Sequence, residues 1–154
     1  MTSVYLSVTR LRVRSARYLL PFIPRVWSSG RQARGVAGFL GGKMLYEFPR
    51  TFWTATTWAD EADMRAYRIA GAHKAAMPLL LDWCDEAAVV HWRQDGAALP
   101  GWSQAHRRMV SEGRLSKVRH PSHAQAAARI AEPRPSPFEI QLRPLAKRAV
   151  QPAT

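Results

Sequence analysis

Residues 3–13, "SVYLSVTRLRV", alternate: Val4, Leu6 and Val8 fall on one face, and Tyr5, Ser7 and Thr9 fall on the other. Period-two alternation predicts a β-strand with one strongly apolar side. The spacing then changes. Pro21 and Pro24 suit the first turn of a helix, Ile23, Val26 and Trp27 share a stripe, and the helix stops near Gly35. "GVAGFLGGKMLYEF" reads as a second strand, in which Gly35, Gly38, Gly41 and Gly42 point to a bulge or to close backbone approach. "FPRTFWTATTW" reads as a third, with Pro49 and Arg50 in the turn before it. It carries Phe52 and Trp58 on one face and Trp53 on the other. A strand apolar on both sides needs cover on both sides.

A helix is expected directly after Trp58. Asp60 is placed to cap it, Asp63 lies three residues on, and Glu61 sits near the positive helix end. Met64, Tyr67 and Ile69 supply its apolar positions. Gly71 interrupts the pattern, and a second helical stretch from Ala72 to Trp83 follows, burying Met77, Leu80 and Trp83. Pro78 predicts a kink or a restart within it. "EAAVVHW" is the fourth strand, "GWSQAHRRMVSEG" a short amphipathic helix ending at Gly113, and "RLSKVRH" a last extended piece.

The order strand–helix–strand–strand–helix–strand is the ferredoxin-like split βαβ arrangement, an α+β fold with helices over one face of an antiparallel sheet. The other face needs a different cover. A second copy of the chain is the simplest one, since two-fold dimers are the commonest assembly. Sheets packed face to face would make a dimeric α/β barrel with a cavity between sheet and helices in each protomer. Residues 1–120 are thus expected to form one ferredoxin-like domain. From residue 121 onward, Pro121, Pro133, Pro135, Pro137, Pro144 and Pro152 stand against a single aromatic, Phe138. Without periodicity, 121–154 reads as a flexible tail or an extended strap, and "FEIQL" is the one piece able to add as an edge strand.

Composition changes this picture little, but charge does. A chain of 154 residues with 47% hydrophobic residues and six Trp can build one proper core. Cys84 is the only cysteine, which excludes an intramolecular disulfide and fits a reducing, cytoplasmic setting. No apolar run reaches the roughly 20 residues that span a bilayer. The acid-poor, Arg- and Ser-containing start could mimic a transit peptide, but the fold needs that segment as a strand. The formal net charge is +12. Arg10, Arg12, Arg14, Arg17, Arg25, Arg31, Arg34 and Lys43 all precede the first acid, Glu47. Such a field favours an anionic cofactor, lipid or nucleic acid. No helix-turn-helix, zinc-finger spacing or single-strand-binding aromatic motif accompanies it, so charge alone does not make a nucleic-acid protein.

The stretch "TFWTATTWADEADMRAYRIAGAHKAAM" (51–77) resembles the dimeric α/β-barrel superfamily, in particular its antibiotic-biosynthesis-monooxygenase-like proteins and bacterial members related to spheroidene monooxygenase. The features that carry the resemblance are the strand ending in Trp58, the acidic helix start at Asp60 and Glu61, Tyr67, and "GAHKAAM". It covers about residues 3–93, with "AHRRMVSEGRLSKVRHPS" also family-like. The resemblance implies a homodimer and either a haem-associated protein, a cofactor-free oxygenase, or a binder of apolar or aromatic small molecules. Haem-degrading relatives use an Asn, a Trp and a His. Trp58 and His73 match two of these, but the chain contains no asparagine, which argues against haem degradation.

His73 lines up on a helix with Ile69, Ala76, Met77 and Leu80, as the polar member of an apolar stripe. Its near-neutral pKa suits a general base, and under the resemblance it would also be the axial ligand if haem binds. The competing reading is a helix-start histidine bonded to backbone. Trp58 is the second catalytic candidate; it, Tyr67 and Trp53 could line a cavity or simply fill the core. His91 shares the Val89 face of the fourth strand and is a further ligand-contact candidate. His106, His120 and His123 are the one possible metal cluster, and their spacing and Pro-rich context argue against a rigid site. Asp82, Asp85 and Glu86 flank Cys84 and weaken it as a nucleophile, so it reads as structural. Two functions follow: a small-molecule-binding protein or monooxygenase with a sheet–helix cavity, or a non-catalytic dimeric module whose basic surface meets an anionic partner.

Overall fold

The computed structural model describes residues 2–145. In chain order its elements are β1 (Ser3–Val13), α1 (Leu19–Arg34), β2 (Phe39–Glu47), β3 (Thr51–Trp58), α2 (Glu61–Arg68), α3 (Gly71–Trp83), β4 (Cys84–Asp95), α4 (Trp102–Glu112), β5 (Arg114–Leu115), α5 (His123–Ala126) and β6 (Glu139–Leu142). The strands form one sheet in the order β5-β4-β1-β3-β2-β6, and every neighbouring pair is antiparallel. This is the ferredoxin-like α+β arrangement. The glycine-rich start of β2 does carry a register shift, between Phe39 and Gly41. Gly42 lies so close to β3 that an added Cβ would come within 2.9 Å of the Ala55 carbonyl oxygen.

The local signals act as their chemistry requires. The Asp60 side chain accepts a hydrogen bond from the Asp63 N–H at 2.9 Å and starts α2. Gly71, at φ +56, adopts the left-handed backbone that lets α2 end and α3 begin. Pro78 lies within α3, which runs through it as one helix instead of restarting.

The two sheet faces are separate cores. On one, Val4, Leu6, Val8, Leu45, Trp53, Ala55, Val90 and Trp92 pack together. On the other, Tyr5, Phe39 and Trp58 pack with Met64, Tyr67 and Leu142, while Val13, Cys84 and Phe22 form a third cluster at the far end. Helices α1, α2 and α3 cover this second face.

The cover of the first face corrects the sequence-based expectation. A second copy of the chain was expected there, yet the chain's own C-terminal segment supplies it. Ala105 and Met109 of α4 are buried in that cluster, with Leu99, Trp102, Leu115 and Ile130 packed around them. Leu6 and Trp53 are both 0% exposed in the single chain. Burying a large apolar side chain stabilises a fold by roughly 1.5–3 kcal/mol, so covering this face from within removes the main drive for a twin subunit to do it. Covering this face therefore requires no second copy of the chain.

Residues 116–142 then cross from one sheet edge to the other. Ser122 Oγ donates to Glu86 Oε1 at 2.8 Å, and Gln125 Nε2 donates to the carbonyls of Ala87 and Ser116 at 3.2 and 3.0 Å. His106 Nε2 donates to the Ile130 carbonyl at 2.8 Å, and Ser136 Oγ donates to the Tyr46 carbonyl at 2.6 Å. The "FEIQL" stretch supplies β6, which pairs with the β2 edge. Residues 146–154 of the segment set apart by composition lie outside the described residues.

Candidate functional site

Between the sheet and helices α1–α3 lies a cavity of about 260 Å3. Its floor is the face opposite the α4 cover: Ser7 and Thr9 of β1, Thr54, Thr56 and Trp58 of β3, and Ala87, Val89 and His91 of β4. Strand alternation puts these residues on one side, since β1 and β3 pair with Ser7 opposite Thr56 and β1 and β4 with Ser7 opposite His91. The roof comes from Phe22, Val26 and Ala33 of α1, Met64 and Tyr67 of α2, and His73, Ala76, Met77 and Leu80 of α3.

Three aromatic rings form one wall. Trp58 stacks on Tyr67 with centroids 5.1 Å apart and 27° between planes, and Tyr67 meets His73 at 4.7 Å and 52°. Phe39 backs Trp58 edge-on at 5.2 Å. The Trp58 indole N–H donates to Thr56 Oγ1 at 2.9 Å, two residues back on the same strand face, so its ring plane is held in place.

His73 is pinned from two sides. Its Nδ1 donates to the Arg68 carbonyl at 3.1 Å, because a carbonyl can only accept. Its backbone N–H donates to Gln32 Oε1 at 2.9 Å. Gln32 also donates through Nε2 to the carbonyls of Tyr67 and Ala70 at 3.1 and 2.8 Å. One α1 side chain thus clamps the α2–α3 junction that carries both Tyr67 and His73. Burial lowers the His73 pKa below its ordinary value, the Arg68 cation lowers it further, and the bond to the Arg68 carbonyl opposes both. The ring is neutral at pH 7 and protonated on Nδ1, which leaves the Nε2 lone pair free to accept a proton. Burial pushes the Tyr67 hydroxyl well above the ordinary tyrosine range, a hydrogen bond with Ser29 only partly offsetting it, so Tyr67 stays a neutral phenol. His91 is also held below its ordinary value, first by burial and then by Arg114 and Arg68, against which Glu61 works.

Trp58, Tyr67, His73 and His91 therefore share one cavity. Trp53, expected as a ligand contact, does not. It faces the α4 side, where its indole N–H donates to Glu47 Oε1 at 2.5 Å and its ring packs 6.3 Å from Trp102. An odd-numbered residue on β3 cannot share a face with Trp58. Among the described residues no group of three His, Cys, Asp or Glu is placed to hold a metal ion. His106 bonds the Ile130 carbonyl, and His120 lies 3.4 Å from Asp82. Cys84 is buried, and burial together with Asp85 pushes its thiol up to about 12.

Sequence reasoning missed Thr54 and Thr56, although their period-two spacing before Trp58 was readable. It also missed Gln32, Arg68 and Arg114, which reach the cavity only through folding. No helix of the described residues is long and apolar enough to cross a membrane.

No protein-family model matches the chain, and no curated protein is detectably similar to it. Solved structures are. A conserved protein from Methanosarcina mazei Go1 superposes with a TM-score of 0.54 at 18% identity, over 61% of this chain and 95% of that one. A candidate antibiotic biosynthesis monooxygenase from Nitrosomonas europaea gives 0.54 at 15% identity, over 60% and 90%. A further protein named as an antibiotic biosynthesis monooxygenase gives 0.51 at 11% identity, over 61% and 99%. At such identities the likeness concerns the fold alone, which two proteins named as antibiotic biosynthesis monooxygenases share.

Proposed function

We propose that this chain binds an apolar or aromatic small molecule in the sheet–helix cavity and oxygenates it, with His73 Nε2 as general base. The observation that carries the reading is the three-ring wall of Trp58, Tyr67 and His73, which ends in a neutral imidazole with a free lone pair beside an apolar cavity. Largely apolar pockets with a few placed polar groups are the usual form of small-molecule sites. Ligand rings lie against Tyr67, which Trp58 backs from behind, while Thr54 offers a hydroxyl from the floor. Nε2 then takes a proton from an acidic phenol or C–H, which makes the ligand electron-rich toward dioxygen. Oxidation of an activated CH2 to C=O by one O2 releases one water and needs no external reductant. All residues used belong to one chain, so the reading requires no second copy.

Haem does not fit this cavity. His73 Nε2 has the right donor chemistry, but about 260 Å3 falls below the roughly 300–1,000 Å3 of pockets for drug-sized ligands, and a macrocycle needs the upper part of that range. Haem added to the protein is expected to give no His73-dependent Soret band.

The test is fluorescence titration with 2-naphthol. Saturable 1:1 binding is expected, abolished by Ala76→Trp, which fills the cavity from α3. His73→Gln is expected to keep binding and lose oxygen uptake on activated aromatic methylene compounds. A folded wild-type protein that binds no 2-naphthol sinks the proposal.

A further inference from the structure

The cavity's polar lining has one sign. Arg25 of α1, Arg68 at the end of α2, Arg114 at the start of β5 and Lys117 just after it all line it, and no aspartate or glutamate does. None of the four forms an ion pair among the described residues, whereas Arg10, Arg12, Arg14, Arg65, Arg93, Arg108 and Arg134 all do. Glu86 pairs with Arg10 and Arg12, and Glu61 pairs with Arg65 and Arg93. The cations also converge. Arg68 and Arg114 come from different elements, yet both line this one cavity beside His91, whose pKa both lower while Glu61 raises it. Arg25, Arg114 and Lys117 are exposed and Arg68 is half-buried, so the charges sit where the cavity meets solvent while its depth, at Phe22, Trp58 and Met64, is apolar and buried.

Clustered cations without counter-charge repel one another and cost stability unless an anion joins them. Guanidinium groups bind planar carboxylates by paired hydrogen bonds, which makes arginine the better fit for an acid group than for a bare apolar ligand. Size narrows the body of that ligand. A cavity of roughly 150 Å3 admits one benzene ring, so about 260 Å3 leaves space for a second ring.

From this we infer that the ligand is an aromatic carboxylate of one or two rings, its ring system against Tyr67 and its carboxylate at the mouth between Arg68 and Arg114. The inference rests on the cavity reading above and adds the ligand's charge and its orientation. With the acid group held at the mouth, the ring edge furthest from it is the part presented to the buried end of the cavity.

The experiment compares 2-naphthoate with its neutral isostere 2-naphthamide, using the full chain and calorimetric titration. The wild type is expected to bind naphthoate roughly tenfold more tightly, the worth of a partly screened charge-assisted contact, with the difference shrinking in high salt. Arg68→Gln combined with Arg114→Gln should remove the preference, weakening naphthoate far more than naphthamide. Equal affinity for both probes in the wild type overturns the carboxylate inference while leaving the cavity reading intact. Failure of both probes to bind folded wild type overturns the two together. A naphthoate preference that survives Ala76→Trp would place binding on the basic surface outside the cavity and also overturn it.

Discussion

Replacing Gln32 with alanine tests how the site is held together. Its carboxamide makes three hydrogen bonds to the α2–α3 junction: Oε1 accepts from the His73 N–H at 2.9 Å, and Nε2 donates to the Tyr67 and Ala70 carbonyls at 3.1 and 2.8 Å. The junction is tight, since a Cβ on Gly71 would come within 3.1 Å of the Gln32 carboxamide carbon. A neutral hydrogen bond contributes about 1 kcal/mol net, and water can reach a half-buried junction, so three bonds lost together should cost about 2–3 kcal/mol. Urea unfolding measures this as a lower midpoint at unchanged slope. Amide hydrogen exchange then locates the loss: the His73 N–H should exchange faster, while the β1 amides facing β3 change only with global stability. Gln32→Glu separates bonding from bulk. Its carboxylate still accepts from His73 but faces two carbonyls with no donor, so it should destabilise at least as much as alanine. A Gln32→Ala protein within 0.5 kcal/mol of wild type, with His73 exchange unchanged, would refute the clamp, that threshold being about the error of a surface substitution.

Met109→Ala removes a buried α4 side chain from the core on the first sheet face and should cost about 2–5 kcal/mol by urea melt, as a cavity-forming change does. A cost near zero would mean that α4 is not the working cover of that face. Glu86→Gln leaves Arg10, 2.6 Å from the carboxylate and buried with it, without its counter-charge, and should cost roughly 3–5 kcal/mol. Burial alone would raise the Glu86 carboxyl, but bonds from Arg10, Ser122 and Arg12 outweigh it and hold the pKa below its ordinary value. Its contribution is therefore present above the unfolded carboxyl pKa, about 4.3, and is lost as pH falls through the lower folded value, so the variant's melts should lose part of the acid dependence. His73 and His91 are both lowered by burial, so the unfolded chain binds their protons first. The stability they confer as neutral rings is present above about pH 6.5 and should fall as pH drops through the folded values. His73→Gln should flatten that slope, and an unchanged slope would contradict the burial of a neutral ring.

The strands, their alternation and the helix start at Asp60 were legible because each rests on neighbours within a few residues: a two-residue period, a cap three residues before its acceptor, a glycine where φ turns positive. The same local logic put Trp58 and His73 near one another, since one ends β3 and the other follows the next helix. Trp53 could be assigned a face opposite Trp58, but not a neighbour. That neighbour is Trp102, forty-nine residues on in the numbering, brought there by α4.

What local pattern could not supply was which segment covers which surface. A two-sided apolar strand states a need for cover without naming the source, and a second copy, a helix of the same chain or a tail all meet it equally. The choice fell to α4, which buries Ala105 and Met109 there, and to the 116–142 strap, whose Ser122, Gln125 and Ser136 bond Glu86, Ala87 and Tyr46 from far along the chain. The cationic mouth has the same origin: Arg25, Arg68, Arg114 and Lys117 are scattered along the chain and become one feature only when α1, α2, β5 and the segment after β5 close around the cavity. Short-range chemistry is written in adjacent letters, whereas burial and charge convergence depend on distances that exist only after folding.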